Sequence, residues 1–302
     1  MFGTLEAGWG LEVVIWLQAN GHPLLDAIAT FFAFAGGSFA YLFVLPLIFW
    51  TIDRQLGRWL LVVLVTAIFV VVGGKELFDR PRPFQYDAES VMSLVEASGN
   101  GFPSGHVGVS LAIWGFVALW AQRWWGYALV FIYIVIMGWA RMYTGVHYPQ
   151  DVAGGLLVGS AVAPGIYRLR GPLERAWARL PSALSFLLLL ALGVLMAFLL
   201  RDDEVGLVAA GLLIGGGWGG LMAAFGTFAA TGSLLQRGLR FVVGITLTLA
   251  VFIALDLAFR PLEPDAAFHV VQYTLVALVI LGLYPLTLAR TGFTQPDDSE
   301  QA

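Results

Sequence analysis

The chain has 302 residues, 59% of them hydrophobic and 12% charged, with a formal net charge of -4 and a mean hydropathy of +0.82. Soluble domains carry about 25% charged residues, so a water-soluble globule is excluded and an all-helical bundle crossing a membrane several times is expected. The absence of cysteine removes disulfides, thiolate metal sites and cysteine nucleophiles, and no basic stripe of the kind that tracks nucleic-acid phosphates is present.

The first twenty residues carry Glu6 and Glu12 and no basic leader, so they do not read as a signal peptide. Leu5, Trp9, Val13, Trp16 and Leu17 fall on one helical face, which predicts an interfacial amphipathic helix within residues 1–22. Hydrophobic runs follow at 24–51, 58–73, 106–121, 125–140, 151–167, 182–200, 205–229, 240–258 and 268–289. Gly36, Gly37 and Ser38 interrupt the first, which is then either one long tilted helix or two shorter ones. The basic stretch YRLRGPLERAWARL, 167–180, separates a front part, which holds every histidine but His269 and includes the expected core at 23–170, from a rear bundle of about four helices, 181–290. The polar tail, 291–302, is expected to be disordered. Ten arginines fall on alternate loops and at position 290, while the opposite loops are rich in acids, so the positive-inside bias places 74–105 and 141–150 together on the outer face.

Three polar clusters sit at those outer helix ends. The first is KELFDRPRP, 75–83, which holds the only lysine in a chain with fifteen arginines. Lys75, Arg82 and Arg141 would be costly to cluster unless an anion shared their site. A phosphate suits them, since guanidinium binds its oxygens in bidentate fashion and ammonium acts as a rotatable point charge. In the second cluster, PSGH at 103–106, Ser104 and Gly105 open an apolar run and are expected to present free backbone N–H groups to an anion. His106, beside them, could pass a proton to a leaving oxygen. In the third, ARMYTGVHYPQD at 140–151, Asp151 follows His147 by one helical turn, with Pro149 suited to a first turn. Asp151 would hold one imidazole nitrogen and leave the other as a nucleophile.

The pattern Lys75, six residues, Arg82-Pro83, then Pro103-Ser104-Gly105-His106, then Arg141, five residues, His147, three residues, Asp151 resembles the three-part signature of the type 2 phosphatidic acid phosphatase (PAP2) superfamily, over roughly residues 23–170. The resemblance implies a PAP2-type helical membrane core and a phosphatase that uses neither metal nor other cofactor. His147 would form a phosphohistidine, His106 would be the general acid, and Lys75, Arg82, Ser104, Gly105 and Arg141 would hold the phosphoryl oxygens. Where the family's third part usually starts Ser-Arg, this chain has Ala140-Arg141, which removes a secondary hydroxyl contact. The expected substrate is a membrane lipid phosphate or diphosphate, with undecaprenyl diphosphate, phosphatidic acid and phosphatidylglycerol phosphate as candidates, and the expected location is the inner (plasma) membrane with the site facing outward.

Blander readings compete for single residues. Cationic side chains at helix ends anchor to headgroups; Arg80, which lacks the six-residue separation from Lys75, is read as a loop or headgroup contact. His22 and His269 are read as packing or hydrogen-bonding residues, and Asp256 as the partner of Arg260 one turn on. Tyr143, Thr144 and Tyr148 either line the pocket or face solvent. The run GLLIGGGWGGLMAAFG, 211–226, permits close helix packing for dimerisation, for the core, or around a lipid path. A phosphate-lipid carrier or flippase, a phosphotransferase using the same site, and a vanadate-binding haloperoxidase are the rival functions; the oriented His147–Asp151 pair argues against mere binding.

Overall fold

The computed structural model describes residues 6–223, 228–259 and 266–291, and within them the chain is helical with no strand. Leu5, Arg260 and the tail beyond 291, each subject to an expectation above, lie outside the described residues. A turn at Glu6–Gly10 leads into α1 (Leu11–Ala19), and then come α2 (Pro23–Ala35), α3 (Ser38–Thr51), α4 (Arg54–Phe78), the single turn α5 (Pro83–Tyr86), α6 (Gly105–Ala121), α7 (Trp124–Tyr143), α8 (Pro149–Ala178), α9 (Ser182–Leu199), α10 (Glu204–Ala223), α11 (Leu234–Phe259), α12 (Ala266–Leu278) and α13 (Tyr284–Thr291).

Among the described residues seven helices are long and apolar enough to cross a membrane, and the interrupted pair α2 and α3 would make an eighth. The chain is therefore a multi-pass membrane protein. Rows of bare leucines such as Leu184, Leu187, Leu188, Leu192 and Leu195 on α9 would be an aggregation hazard in water, and they are what a helix presents to lipid. Of the two readings of the first run the structure adopts two helices, with the Gly36 amide closing α2 onto the Phe32 carbonyl.

The chain divides into two compact units, Met1–Tyr41 with Thr66–Arg168, and Leu42–Val65 with Leu169–Ala302. The division after 168 falls inside the basic stretch, while the second unit also takes in 42–65, which the sequence reading grouped with the front part. In the first unit α2 and α6 pack on α7, with Phe32 against Tyr133 and a small cluster of Ala29, Ala140 and Tyr143 beneath α1. There α8 lies on α6 almost backbone to backbone: a Cβ on Gly155 would stand 2.7 Å from the Ser104 carbonyl oxygen, and one on Gly159 would stand 2.8 Å from that of Gly108.

In the second unit α10 packs between α9 and α12. The glycine-rich run serves this packing: Gly211 would place a Cβ 2.6 Å from the Val270 carbonyl oxygen, and Gly215 would run into that of Thr274. Without a hydrophobic drive between helices in lipid, such close approach supplies dispersion contact instead. The buried Arg240 donates to the carbonyls of Trp50 (2.6 Å) and Thr231 (2.9 Å), and Trp50 and Tyr284 close over Gly244. We expect Gly215→Leu to destabilise this unit by about 1–3 kcal/mol through overpacking, while Gly220→Leu, whose Cβ meets nothing within 4 Å, is neutral; thermal unfolding in detergent compares the two.

Candidate active site

The three sequence clusters meet in the first unit. Lys75 sits in the last turn of α4, and the Asn100 side chain caps its carbonyl at 3.1 Å. Arg82 begins α5, where Pro83 takes the first helical position and the Gln85 side chain accepts the Arg82 amide at 2.9 Å. Its guanidinium is buried and spread over three partners, donating from Nε to Gly99 O (3.0 Å), from Nη2 to Ser98 O (2.8 Å) and from Nη1 to Val146 O (3.0 Å). These bonds tie the loop before α6 to the turn between α7 and α8.

That turn is made by Gly145, whose φ of +76° is open only to glycine at low cost, and a Cβ there would run into the Met92 carbonyl oxygen. It leads to His147, which is 1% exposed. Arg82 Nη1 stands 3.3 Å from His147 Nε2, and Asp151 Oδ2 stands 3.4 Å from Nδ1. Guanidinium has only donors and an ionised carboxylate only acceptor sites, so the two neighbours select one tautomer: the proton on Nδ1 facing Asp151 and the lone pair on Nε2. Asp151, fully buried in the first turn of α8, also accepts the Tyr148 amide at 2.9 Å, and Gly101 leaves room for its Oδ2, which a Cβ there would approach to 3.0 Å.

Ser104 caps α6 and Gly105 opens it, but the expected pair of free amides is corrected: the Ser104 N–H is taken by the Asp151 carbonyl at 2.9 Å, because α8 packs directly on this end of α6. What Ser104 offers is its hydroxyl, buried and without a hydrogen-bond partner among the described residues. Arg141, 3% exposed in the last turn of α7, likewise has a buried Nε with no partner there, while its carbonyl accepts the amides of Val146 and His147. Buried polar groups are nearly always hydrogen-bonded, so these two donors, carried with His147 in the first unit, are suited to an oxyanion. His106 extends toward the α2–α3 break, where its Nε2 donates to the Ala33 carbonyl at 2.9 Å and its ring fills the space left by Gly36.

Of the two readings of Arg80 the loop contact holds, since it is buried with its guanidinium 5.5 Å from the Phe102 ring centre and unavailable to headgroups. Tyr143, Thr144 and Tyr148 are all buried, and neither solvent-facing nor, for Thr144, directed away from the backbone: its hydroxyl donates to Ala140 O at 2.8 Å. His22 caps α2 by accepting the Leu24 amide, and His269 stands 3.5 Å from Glu204. The residues missed from sequence are Asn100, Gly101 and the glycines of α8, whose roles depend on long-range contact. No three His, Asp or Glu side chains gather as a metal-ligand set among the described residues.

Residues 56–175 match the PAP2 superfamily model, and residues 207–296 match a model described as the transmembrane extension of PAP2 superfamily phosphatases. An undecaprenyl-diphosphatase of Sulfolobus acidocaldarius is 25% identical over 53% of this chain and 78% of its own. The undecaprenyl-diphosphatase BcrC of Bacillus subtilis is 39% identical over 27% of this chain and 41% of its own, and Escherichia coli YbjG is 34% identical over 36% and 54%. This chain thus spans about half the length of YbjG and less of BcrC. The crystal structure of Aquifex aeolicus LpxE superposes with a TM-score of 0.48 at 27% identity, covering 53% of this chain and 94% of that one.

Burial pushes the His147 imidazole well below the ordinary histidine range, and the positive charges of Arg82, Arg141 and Lys75, with His106, push the same way. The unfolded chain therefore takes up this proton near pH 6.5 while the folded protein does not. His147 should then subtract stability as pH falls below about 6.5 and have no such effect above it. Histidine-selective NMR of the detergent-solubilised protein should show the His147 imidazole still neutral at about pH 6.

Proposed function

The chain belongs to the PAP2 superfamily, and from that premise we propose that it is a membrane lipid phosphatase that cleaves a phosphomonoester or diphosphate through a phosphohistidine on His147. The observation that carries the reading is the placement of the His147 ring between Arg82 Nη1 on one side and Asp151 Oδ2 on the other, which favours the tautomer with its lone pair on Nε2. A carrier needs to grip phosphate, and an oriented lone pair on a buried imidazole adds nothing to grip.

In the proposed cycle the phosphoryl oxygens are held by Lys75, Arg82, Arg141, the Ser104 hydroxyl and the Gly105 amide. Arg82 Nη1 turns from Nε2 to a phosphoryl oxygen, which exposes the lone pair to phosphorus. Nε2 attacks, the bond from phosphorus to the leaving oxygen breaks, and His106 gives that oxygen a proton. The Nδ1 proton stays on His147, where Asp151 stabilises the positive charge of the phosphorylated ring. Water, surrendering a proton to His106, then attacks phosphorus and breaks the P–N bond, which releases inorganic phosphate and restores both histidines. For His106 to act, its Nε2–H must leave the Ala33 carbonyl or its ring must carry a second proton on Nδ1.

The substrate class follows from the membrane setting and from the relatives named as undecaprenyl-diphosphatases. A lipid phosphate or diphosphate keeps its tails among the helices and lifts its headgroup to the helix ends where these residues lie. Undecaprenyl diphosphate leads, with phosphatidic acid and phosphatidylglycerol phosphate as further candidates. Location in the inner (plasma) membrane with the site on the outer face rests on the arginine bias of the opposite loops, and residues 23–170 form the proposed core, with 181–290 as its transmembrane extension.

Purified protein should release phosphate from undecaprenyl diphosphate in the presence of EDTA, and His147→Ala should abolish release while leaving the unfolding midpoint in place. Turnover that survives His147→Ala, or that chelation removes, overturns the mechanism. His106→Ala should slow alkyl phosphates by about 100-fold or more and nitrophenyl phosphate far less, because a low-pKa leaving group needs little protonation; equal losses on both would remove His106 from the acid role.

A further inference from the structure

The turn that carries His147 has four successive carbonyls, each held by a different donor. Tyr143 O accepts from Gln18 Nε2 at 3.0 Å, Thr144 O from the Leu94 amide at 3.1 Å, Gly145 O from the Phe84 amide at 3.3 Å, and Val146 O from Arg82 Nη1 at 3.0 Å. Three of these donors belong to the loop 82–94. Gln18 alone comes from α1, and it also grips that loop, donating to Met92 O at 2.7 Å and accepting the Met92 amide at 3.1 Å. Both Nε2 hydrogens and Oε1 are in use, and a flipped amide would set NH2 against the Met92 N–H, so the side chain has one orientation.

We propose that Gln18 is a positioning residue for the phosphatase site, locking the loop 82–94 to the end of α7 so that His147 stays in line with the bound phosphoryl group; this rests on the function proposed above. The rest of α1 supports the same placement. Its Leu17 packs on the Ala29, Ala140 and Tyr143 cluster, the His22 amide donates to the Tyr143 hydroxyl at 3.3 Å, and a Cβ on Gly10 would meet the Gln150 side chain at 2.6 Å, one residue from Asp151. α1 and the residues flanking it thus touch the chain on both sides of His147. Trp16 on α1 and Trp9 in the turn before it are 64% and 52% exposed, the pattern of a segment resting in the membrane interface.

Gln18→Met removes all three bonds at nearly constant volume, and Gln18→Lys keeps a donor for the Tyr143 and Met92 carbonyls. The proposal expects Gln18→Met to lower kcat by about tenfold or more with KM and the unfolding midpoint unchanged, Gln18→Lys to recover most of the loss, and amide exchange over 144–147 to rise in the first variant and return in the second. Wild-type kcat and exchange in Gln18→Met overturn it, and so does a loss of activity that merely tracks the folded fraction. Should the wild-type protein release no phosphate, the functional reading falls separately, and the exchange result alone decides whether Gln18 holds the turn.

Discussion

A buried carboxylate is the constraint on which the site depends. Asp151 has no exposure, and an ion moved out of water is tolerated only where hydrogen bonds and opposite charge replace its hydration. Its Oδ2 takes the Tyr148 amide and faces His147 Nδ1, which requires the chain to turn tightly ahead of α8. Its carbonyl accepts the Ser104 amide, which requires the start of α6 to lie against the start of α8. Gly155 and Gly108 permit that approach. One residue thereby joins the second and third polar clusters, and Arg82, bonded to Val146 and facing His147, joins the first.

The membrane explains why this network sits at helix ends. Irregular backbone is excluded from lipid-exposed hydrocarbon, since unpaired N–H and C=O groups cost several kcal/mol each there. A site built from loop carbonyls, side-chain donors and a left-handed glycine must therefore lie where the helices stop or be enclosed by protein. Here it is enclosed as well: Arg141, Tyr143, Thr144, Val146, His147 and Tyr148 are all buried. The second unit answers to other rules, with glycines of α10 bringing it against α12.

Much of this was legible in the sequence because the signals were local. Runs of apolar residues located the long helices, although α8 continues to Ala178, eleven positions past its run and through the basic stretch, and α11 starts six positions before its run; the i, i+4 spacing of His147 and Asp151 anticipated their contact. What escaped was set by packing between distant segments. Nothing near Ser104 says that its amide will be consumed by a carbonyl 47 positions on, since only the seating of α8 on α6 decides that. Arg80 and Arg82 stand two apart in one basic stretch, yet one lies over Phe102 while the other reaches His147. Gln18 was hidden for the same reason, a polar residue in an amphipathic segment whose partners lie 74 and 125 positions away.

The cations around His147 have two opposed effects, and the phosphoryl group reconciles them. Burial first, and then the charges of Arg82, Arg141 and Lys75, disfavour a proton on the imidazole, which in the proposed cycle keeps the nucleophile neutral. The same field would penalise the positive ring that forms when Nε2 bonds to phosphorus. A bound phosphoryl group brings the compensating negative charge with it, so the cations that guard the lone pair become the groups that bind the oxygens. Asp151 then meets the remaining positive charge through Nδ1–H. In the proposed cycle the imidazole is kept neutral by burial and by charges that also suit an anionic phosphoryl group, so nucleophile activation and phosphate binding draw on one electrostatic arrangement.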